Sequence, residues 1–307
     1  MSSYCSCVLE IRPCADQADK ELSLAIYNEV VPEDAVSAEE AERWKSVHIA
    51  TTDLVALLDG EPAGSVSGAL GHARPGTAQI FLTVLPSKRR QGVGSALYTE
   101  ISKWAREHGA TELRSRIHER EQEAIESVQR RGFRITSRDT ELYLELADVE
   151  PPEVDPPEGV EIVLWADRPE LARGLHEVTF EAQPDVPGAE DWSGEPFEVW
   201  ESMHRPEVMF TAVAGTEVVG FAELFLTKAR PEVAVHMMIG VKRAWRGRGI
   251  AGALKRAQIA WAKESGYEHM QTANELRNEP IRRLNAELGY REGFGRVEVR
   301  GPLAASS

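Results

Sequence analysis

A mixed α/β protein built from two copies of one unit is the fold that this 307-residue sequence predicts. The first observation is internal repetition. Arg89-Arg90-Gln91-Gly92-Val93-Gly94 precedes Gly132-Phe133, and Arg246-Gly247-Arg248-Gly249-Ile250-Ala251 precedes Gly289-Tyr290. Gly92 to Gly132 and Gly249 to Gly289 are both 40 positions, and the copies are offset by 157. Upstream, Asp59-Gly60-Glu61-Pro62-Ala63-Gly64 matches Gly215-Thr216-Glu217-Val218-Val219-Gly220 at an offset of 156, so a one-residue insertion or deletion separates the two landmarks. The second observation is the stretch Glu150–Gly159, whose four prolines and four acids exclude a helix or a central strand and read as an extended linker. The third is that each half runs from apolar strands through a glycine turn into a helix. The expected domains are 1–149, a linker 150–159, and 160–307.

In the first half Asp53–Leu58 reads as a strand, Gly60 as a turn and Ala63–Leu70 as the strand's partner. Ile80–Val84 is a further strand. Gly94–Glu107 is a helix, because Leu97, Ile101, Trp104 and Ala105 recur at helical spacing. Leu113–Ile117 is a strand and Gln122–Arg131 a helix that Gly132 stops. The second half repeats the order with Met209–Ala214, Val218–Leu226, Ala234–Val241, Ile250–Ser265, His269–Ala273 and Pro280–Leu288.

Composition narrows the function. Apolar residues are 42% and charged residues 28%, ordinary for a globular chain. A net charge of −15 excludes a protein that binds nucleic-acid phosphates through a broad basic surface. No apolar run approaches the ~18 residues of a membrane span, and the start lacks the basic-then-apolar pattern of a secretory leader. Cys5, Cys7 and Cys14 are odd in number and clustered, which suits neither a disulfide framework nor a metal site. Inert thiols, a reducing cytoplasmic compartment and no metal are expected.

The two glycine turns carry the chemistry. Arg89, Arg90, Gln91, Gly92, Val93 and Gly94 form the first. Arg246, Gly247, Arg248, Gly249, Ile250, Ala251 and Gly252 form the second. Small residues let backbone N–H groups approach a ligand, and a helix N-terminus adds unpaired donors and a positive dipole, so each turn suits a diphosphate. The alternative is a structural turn with solvated basic residues. Gly247-x-Gly249-x-x-Gly252 also satisfies a dinucleotide pattern, but Lys242 to Arg246 intervene after the strand and the first copy lacks the third glycine.

An Arg-x-x-Gly-x-Gly/Ala turn after a strand, followed by strand, helix and Gly-Phe/Tyr, resembles the GNAT superfamily of N-acetyltransferases. Both halves carry the pattern. The resemblance implies two tandem GNAT folds, each a mostly antiparallel twisted sheet flanked by helices, and acetyl-CoA as cosubstrate. It implies that the diphosphate sits on the glycine turn and the pantetheine arm in a splay near Ile239–Val241 and Gln271–Ala273. It also places an oxyanion-binding amide within Ile239, Gly240 and Val241.

The halves differ. Asn274, Asn278 and Asn285 in the second resemble the cofactor-binding segment of active GNAT domains, with capping by Asn278 ahead of Pro280 as the alternative role for that residue. The first half has no asparagine in the corresponding place. The family's usual tyrosine acid falls at Val128 and Asn285, so it is absent from both halves; a thiol of pKa ~8.5 tolerates unassisted departure. A base is expected for an amine acceptor, and Glu223 and His236 are the candidates; their counterparts by offset, Ser67 and Gln79, are not bases. Cross-strand pairing and surface solvation are the alternative roles. Residues 181–203 contain seven acids, no Lys or Arg, and Trp192, Phe197 and Trp200, which suits either a cationic acceptor or a solvated helix with an aromatic core face.

The resulting expectation is a cytoplasmic acetyl-CoA-dependent N-acetyltransferase acting on an amine of a small molecule or peptide. Its catalytic half is the C-terminal one, and the N-terminal half is a degenerate copy. The rivals are a non-catalytic acyl-CoA-binding module, or an acyltransferase with another acyl-CoA or a hydroxyl acceptor. No nucleic-acid or membrane partner is expected, and a monomer and a homodimer fit equally.

Overall fold

The computed structural model describes residues 8–187 and 189–305; Cys5 and Cys7 lie outside the described residues. The chain divides into two compact units. The first contains the chain up to Arg116, Glu123–Arg134 and the chain from Val299 onward; the second contains Ile117–Gln122 and Ile135–Glu298.

Unit 1 is built from β1 (Leu9–Pro13), α1 (Gln17–Val30), α2 (Ala38–Ser46), β2 (Ala50–Leu58), β3 (Glu61–Leu70), β4 (Thr77–Val84), α3 (Val93–Glu107), β5 (Glu112–His118) and α4 (Gln122–Gln129). Its sheet order is β1-β2-β3-β4-β5. All these pairs are antiparallel except β4–β5. Asp16 caps α1, and Ser37 with Glu40 forms a capping box on α2, so both helices satisfy their first amides locally. On α3 the expected apolar face is present: Leu97, Ile101 and Ala105 are fully buried.

Unit 2 is built from β6 (Arg134–Glu145), β7 (Val160–Leu164), α5 (Ala172–Ala182), α6 (Phe197–Met203), β8 (Met209–Ala214), β9 (Glu217–Leu226), β10 (Val233–Val241), α7 (Ile250–Glu264), β11 (His269–Glu275), α8 (Glu279–Glu287) and β12 (Arg291–Pro302). The order is β12-β6-β11-β10-β9-β8-β7. The β10–β11 pair is parallel, and β6–β11, β9–β10, β8–β9 and β7–β8 are antiparallel. Strand β6 follows the first copy in sequence yet its residues Asp139–Glu145 pair with β11. Residues 150–157 carry neither helix nor strand.

The unit 2 sheet has an apolar cluster on each face. One gathers Ile250, Leu254 and Ala257 of α7 against Ala222, Leu224 and Ala234. The other gathers Leu175, Val178 and Trp200 of α5 and α6 against Met209, Val218 and Phe221. Alternation along β9 therefore puts Glu223 on the α5–α6 face, between Ala222 and Leu224 that face α7.

The one-residue difference between the copies has a definite location. The β3–β4 ladder runs without interruption from Gly64↔Val84 to Leu70↔Ala78. The β9–β10 ladder shifts between His236↔Leu224 and Ile239↔Ala222, so Met237 and Met238 together oppose Glu223. This is a β-bulge in β10 that β4 lacks. It corrects one sequence correspondence: the register matches His236 to Ile80, not to Gln79, while Glu223 still matches Ser67.

Candidate active site

The second glycine turn links β10 to α7. Gly247 and Gly249 have φ of 73° and 88°, and no side chain caps α7. A Cβ at either glycine would meet nothing within 4 Å, so the space above the turn is open. The first amides of α7 thus lack partners and face that space. In unit 1 the same turn has Gly92 at φ 87° and Arg90, not glycine, at φ 63°. A left-handed arginine costs about 1–2 kcal/mol, so this backbone shape is maintained even against side-chain preference.

The arginines of the second turn are anchored. Arg246 Nε donates to the Val241 carbonyl at 3.0 Å, as Arg89 Nε does to Val84 at 3.4 Å. Asp185 is forked between Arg243 and Arg246, both at 2.8 Å, and these partners hold its carboxyl below the usual range. Arg248 lies over the Trp245 ring at 4.6 Å.

Beyond the turn the parallel strands separate. β10 and β11 pair only over Val233–Val235 and His269–Gln271. Past that point Thr272 Oγ1 donates to the His236 carbonyl at 3.3 Å, and the strands diverge. Unit 1 repeats this: β4 and β5 pair over Thr77–Gln79 and Glu112–Arg114, and Ser115 Oγ donates to the Ile80 carbonyl at 3.0 Å. The Lys242 amide donates to Val219, so alternation turns the amides of Val241 and Ile239 away from β9 and into the gap, with Gly240 between them.

The two candidate bases do not meet. Glu223 lies on the α5–α6 face, with His204 Nδ1 at 2.9 Å from its Oε2. His204 in turn packs on Trp200, ring centroids 4.6 Å apart. His236 lies on the α7 face, buried, with Nδ1 at 2.6 Å from Gln258 Oε1. Burial, then the nearby Lys255, push its pKa well below 6.5, so the ring is neutral.

Asn274 lies on β11 past its pairing with β10, while Asn278 stands at the start of α8 and Asn285 lies on it. Asn285 is fully buried and neither polar atom of its side chain has a partner; Asn274 is 5% exposed and its Nδ2 has none. Asn278 occupies the N-cap position of α8, but its side chain makes no capping bond. A cavity of about 250 Å³ is lined by Thr140 and Leu142 of β6, Asn274, Tyr290 and Arg282, Arg283 and Ala286 of α8. Orphaned buried amides and an open left-handed turn are what an elongated ligand with a diphosphate and amide groups would satisfy.

The acceptor wall expected from residues 181–203 is mostly committed elsewhere. Asp185 holds the two arginines, Trp200 is core, Arg173 lies over Phe197 at 4.4 Å, and Trp192 packs on Phe180 at 5.0 Å. In unit 1 the position opposite Ser67 is Phe81, packed against Tyr27 at 6.0 Å and Trp44 at 5.5 Å.

The acetyltransferase (GNAT) family matches this chain twice, at residues 20–133 and 172–290. The chain belongs to the GNAT acetyltransferase family. Membership supports acyl transfer as the reaction class. No curated protein matches the chain. Solved structures similar to this GNAT chain include a GCN5-related N-acetyltransferase from Sphaerobacter thermophilus, at 22% identity, TM-score 0.76 and 97% coverage of both chains. A tandem GNAT protein from the clavulanic acid biosynthesis pathway is 23% identical, with TM-score 0.76 and coverage of 98% of this chain and 100% of that one. These likenesses show that the tandem GNAT fold extends over the whole chain. No helix among the described residues is long and apolar enough to cross a membrane.

Sequence reasoning missed Lys255, Gln258 and His204. Lys255 and Gln258 are 2% and 0% exposed on α7. The signal was a polar pair on the apolar face of a helix whose sister copy has Tyr98 and Ile101 there.

Proposed function

We propose that this GNAT protein is an acetyl-CoA-dependent N-acetyltransferase whose working site lies in the C-terminal half, residues 160–307. The observation that carries the reading is the bulge of β10 opposite Glu223, which β4 lacks opposite Ser67. Bound acetyl-CoA supplies the acetyl group as an activated thioester. The amides of Gly249 to Gly252, with Arg246, Gly247 and Arg248, hold its diphosphate. The amides of Ile239 and Val241 pair with its pantetheine arm, and Asn274, Asn278 and Asn285 satisfy the arm's amide groups. An amide freed by the bulge at Met237–Met238 faces charge that develops on the carbonyl oxygen.

Glu223 takes the proton of the attacking amine. A lysine-like amine is mostly protonated at neutral pH, and a positioned carboxylate assists by accepting the proton that the nitrogen loses as it attacks. The acceptor is an amine of a small molecule or peptide, approaching from the α5–α6 face. Glu198 and Glu201 of α6 are the acids available there to a cationic acceptor. Unit 1 keeps the glycine turn and the strand gap but has Phe81 and Ser67 where unit 2 has its bulge and carboxylate, which favours a non-catalytic role. The Cys14 thiol, pushed up to about 11 mainly by burial, is a poor nucleophile at neutral pH.

Titration calorimetry of acetyl-CoA into Ala251→Glu and Gly94→Glu tests this. Both positions are second residues of their helices, so an acid is favourable to the fold and hostile to a diphosphate. The expected result is loss of binding in Ala251→Glu alone. Loss in Gly94→Glu alone reverses the roles of the halves.

A further inference from the structure

The second copy buries a set of polar groups where its sister has other side chains. Lys255 Nζ, Gln258 Nε2, Asn274 Nδ2 and both polar atoms of Asn285 have no hydrogen-bond partner, and all four residues are at most 5% exposed. His236 and Tyr290 are buried beside them. The matching positions in the first copy are Tyr98, Ile101, Ile117 and Val128, with Ile80 for His236 and Phe133 for Tyr290. Ile80, Ile101 and Phe133 are buried, so the same backbone packs those sites with apolar side chains, while Tyr98, Ile117 and Val128 are half-buried and leave no orphaned amide or ammonium. Burying an unpaired ammonium is costly, and apolar residues of similar size are the stable choice. The polar set is retained against stability.

Its location points to a proton. His236 is the last β10 residue before the bulge, and its carbonyl takes the Thr272 bond at the point where the strands part. Gln258, one turn along α7 from Lys255, bonds His236 Nδ1. Lys255 Nζ lies 5.2 Å from the centroid of Tyr290. The groups facing it are neutral: the His236 ring, and the Tyr290 phenol, which burial pushes well up. Among the described residues no carboxylate pairs with it.

We propose that Lys255 is the proton donor to the coenzyme A sulfur, the role left vacant by the missing tyrosine; this rests on the acetyl-CoA reading above. As the amine nitrogen bonds to the carbonyl carbon, the carbon–sulfur bond breaks and its electron pair goes to sulfur. Lys255 Nζ gives that sulfur a proton, Glu223 takes one from the nitrogen, and solvent restores both groups. Burial brings the ammonium down to about 7, close to the ~8.5 of a thiol, so donation is nearly balanced.

The test needs no acceptor. Free coenzyme A is bound to the full chain, and its thiolate is followed by ultraviolet absorbance against pH, in wild type, Lys255→Met and Lys255→Gln. A lysine at the sulfur stabilises the thiolate, so in wild type half-ionisation falls at least about one unit below ~8.5, and either variant restores it with coenzyme A affinity within a few-fold. An ordinary bound thiol in wild type overturns the proposal, whether or not the variants fold. So does a lowered thiol that the variants leave unchanged. Failure of coenzyme A to bind wild type overturns the acetyl-CoA reading itself, and calorimetry distinguishes that outcome.

Discussion

His204 Nδ1 lies 2.9 Å from Glu223 Oε2, and Glu223 is the residue opposite the extra position in β10. The pair joins the end of α6 to the middle of β9. Both side chains are only partly exposed, at 18% and 14%. The carboxylate and its imidazole neighbour therefore stand opposite the bulge of β10, on the α5–α6 face of the sheet. His236, the other sequence candidate, faces α7.

Glu223→Gln is therefore expected to lower acetyl transfer by about 100-fold or more, the usual scale for a positioned base, while acetyl-CoA affinity stays within a few-fold. Coenzyme A release with a panel of primary amines, together with calorimetry, measures both. An unchanged rate with the best acceptor removes Glu223 from the mechanism.

Deleting Met237 is expected to separate fold from catalysis. Met237 is 59% exposed, and the regular β3–β4 ladder demonstrates that the same architecture closes without it. The shortened strand keeps Met238 on the α5–α6 side, where Phe81 sits in the first copy. Thermal unfolding should remain cooperative, and turnover should drop ~100-fold or more with loss of the freed amide. Retained turnover would falsify the assignment of the bulge.

Asp185→Asn is expected to strengthen acetyl-CoA binding several-fold at low salt and to leave acceptor KM unchanged. Its carboxylate engages Arg243 and Arg246 beside the turn, so its loss removes a negative charge near the diphosphate and releases two cations. A rise in acceptor KM without change in acetyl-CoA affinity would place Asp185 in the acceptor pocket instead.

The sequence made the tandem plan and the place of the glycine turns legible, because each rests on residue types fixed by local geometry. Gly249 must be left-handed, and the apolar period of α3 is strict. The long strands β6 and β12 were not read: their charged and glycine-rich sequences, such as Arg291-Glu292-Gly293-Phe294-Gly295, hide the alternation, and pairing is decided by distant partners. The indel was visible as a change of offset, but its placement opposite Glu223 needed the ladder. Lys255 passed as an ordinary solvated lysine, since a single helix does not reveal which neighbours close over it.

That burial has a consequence for stability. Lys255 has a folded pKa of about 7 against 10.5 in an exposed chain, so its folded value is lowered. Above 10.5 both states are neutral and the residue is indifferent. As pH falls from 10.5 toward 7, the unfolded chain takes up a proton that the folded protein refuses, and stability is lost. Below 7 the penalty is complete, with an upper limit of about 5 kcal/mol from the pKa difference. Lys255→Met should therefore raise the urea midpoint at pH 7, and the gain should shrink as pH rises toward 10. His236 adds a loss of the same sign on acidification below 6.5, because its ring too is held neutral. A Lys255→Met protein that is less stable than wild type at pH 7, with the same slope between pH 7 and 10, would mean that the ammonium has a partner in solution and is not held in reserve for the sulfur.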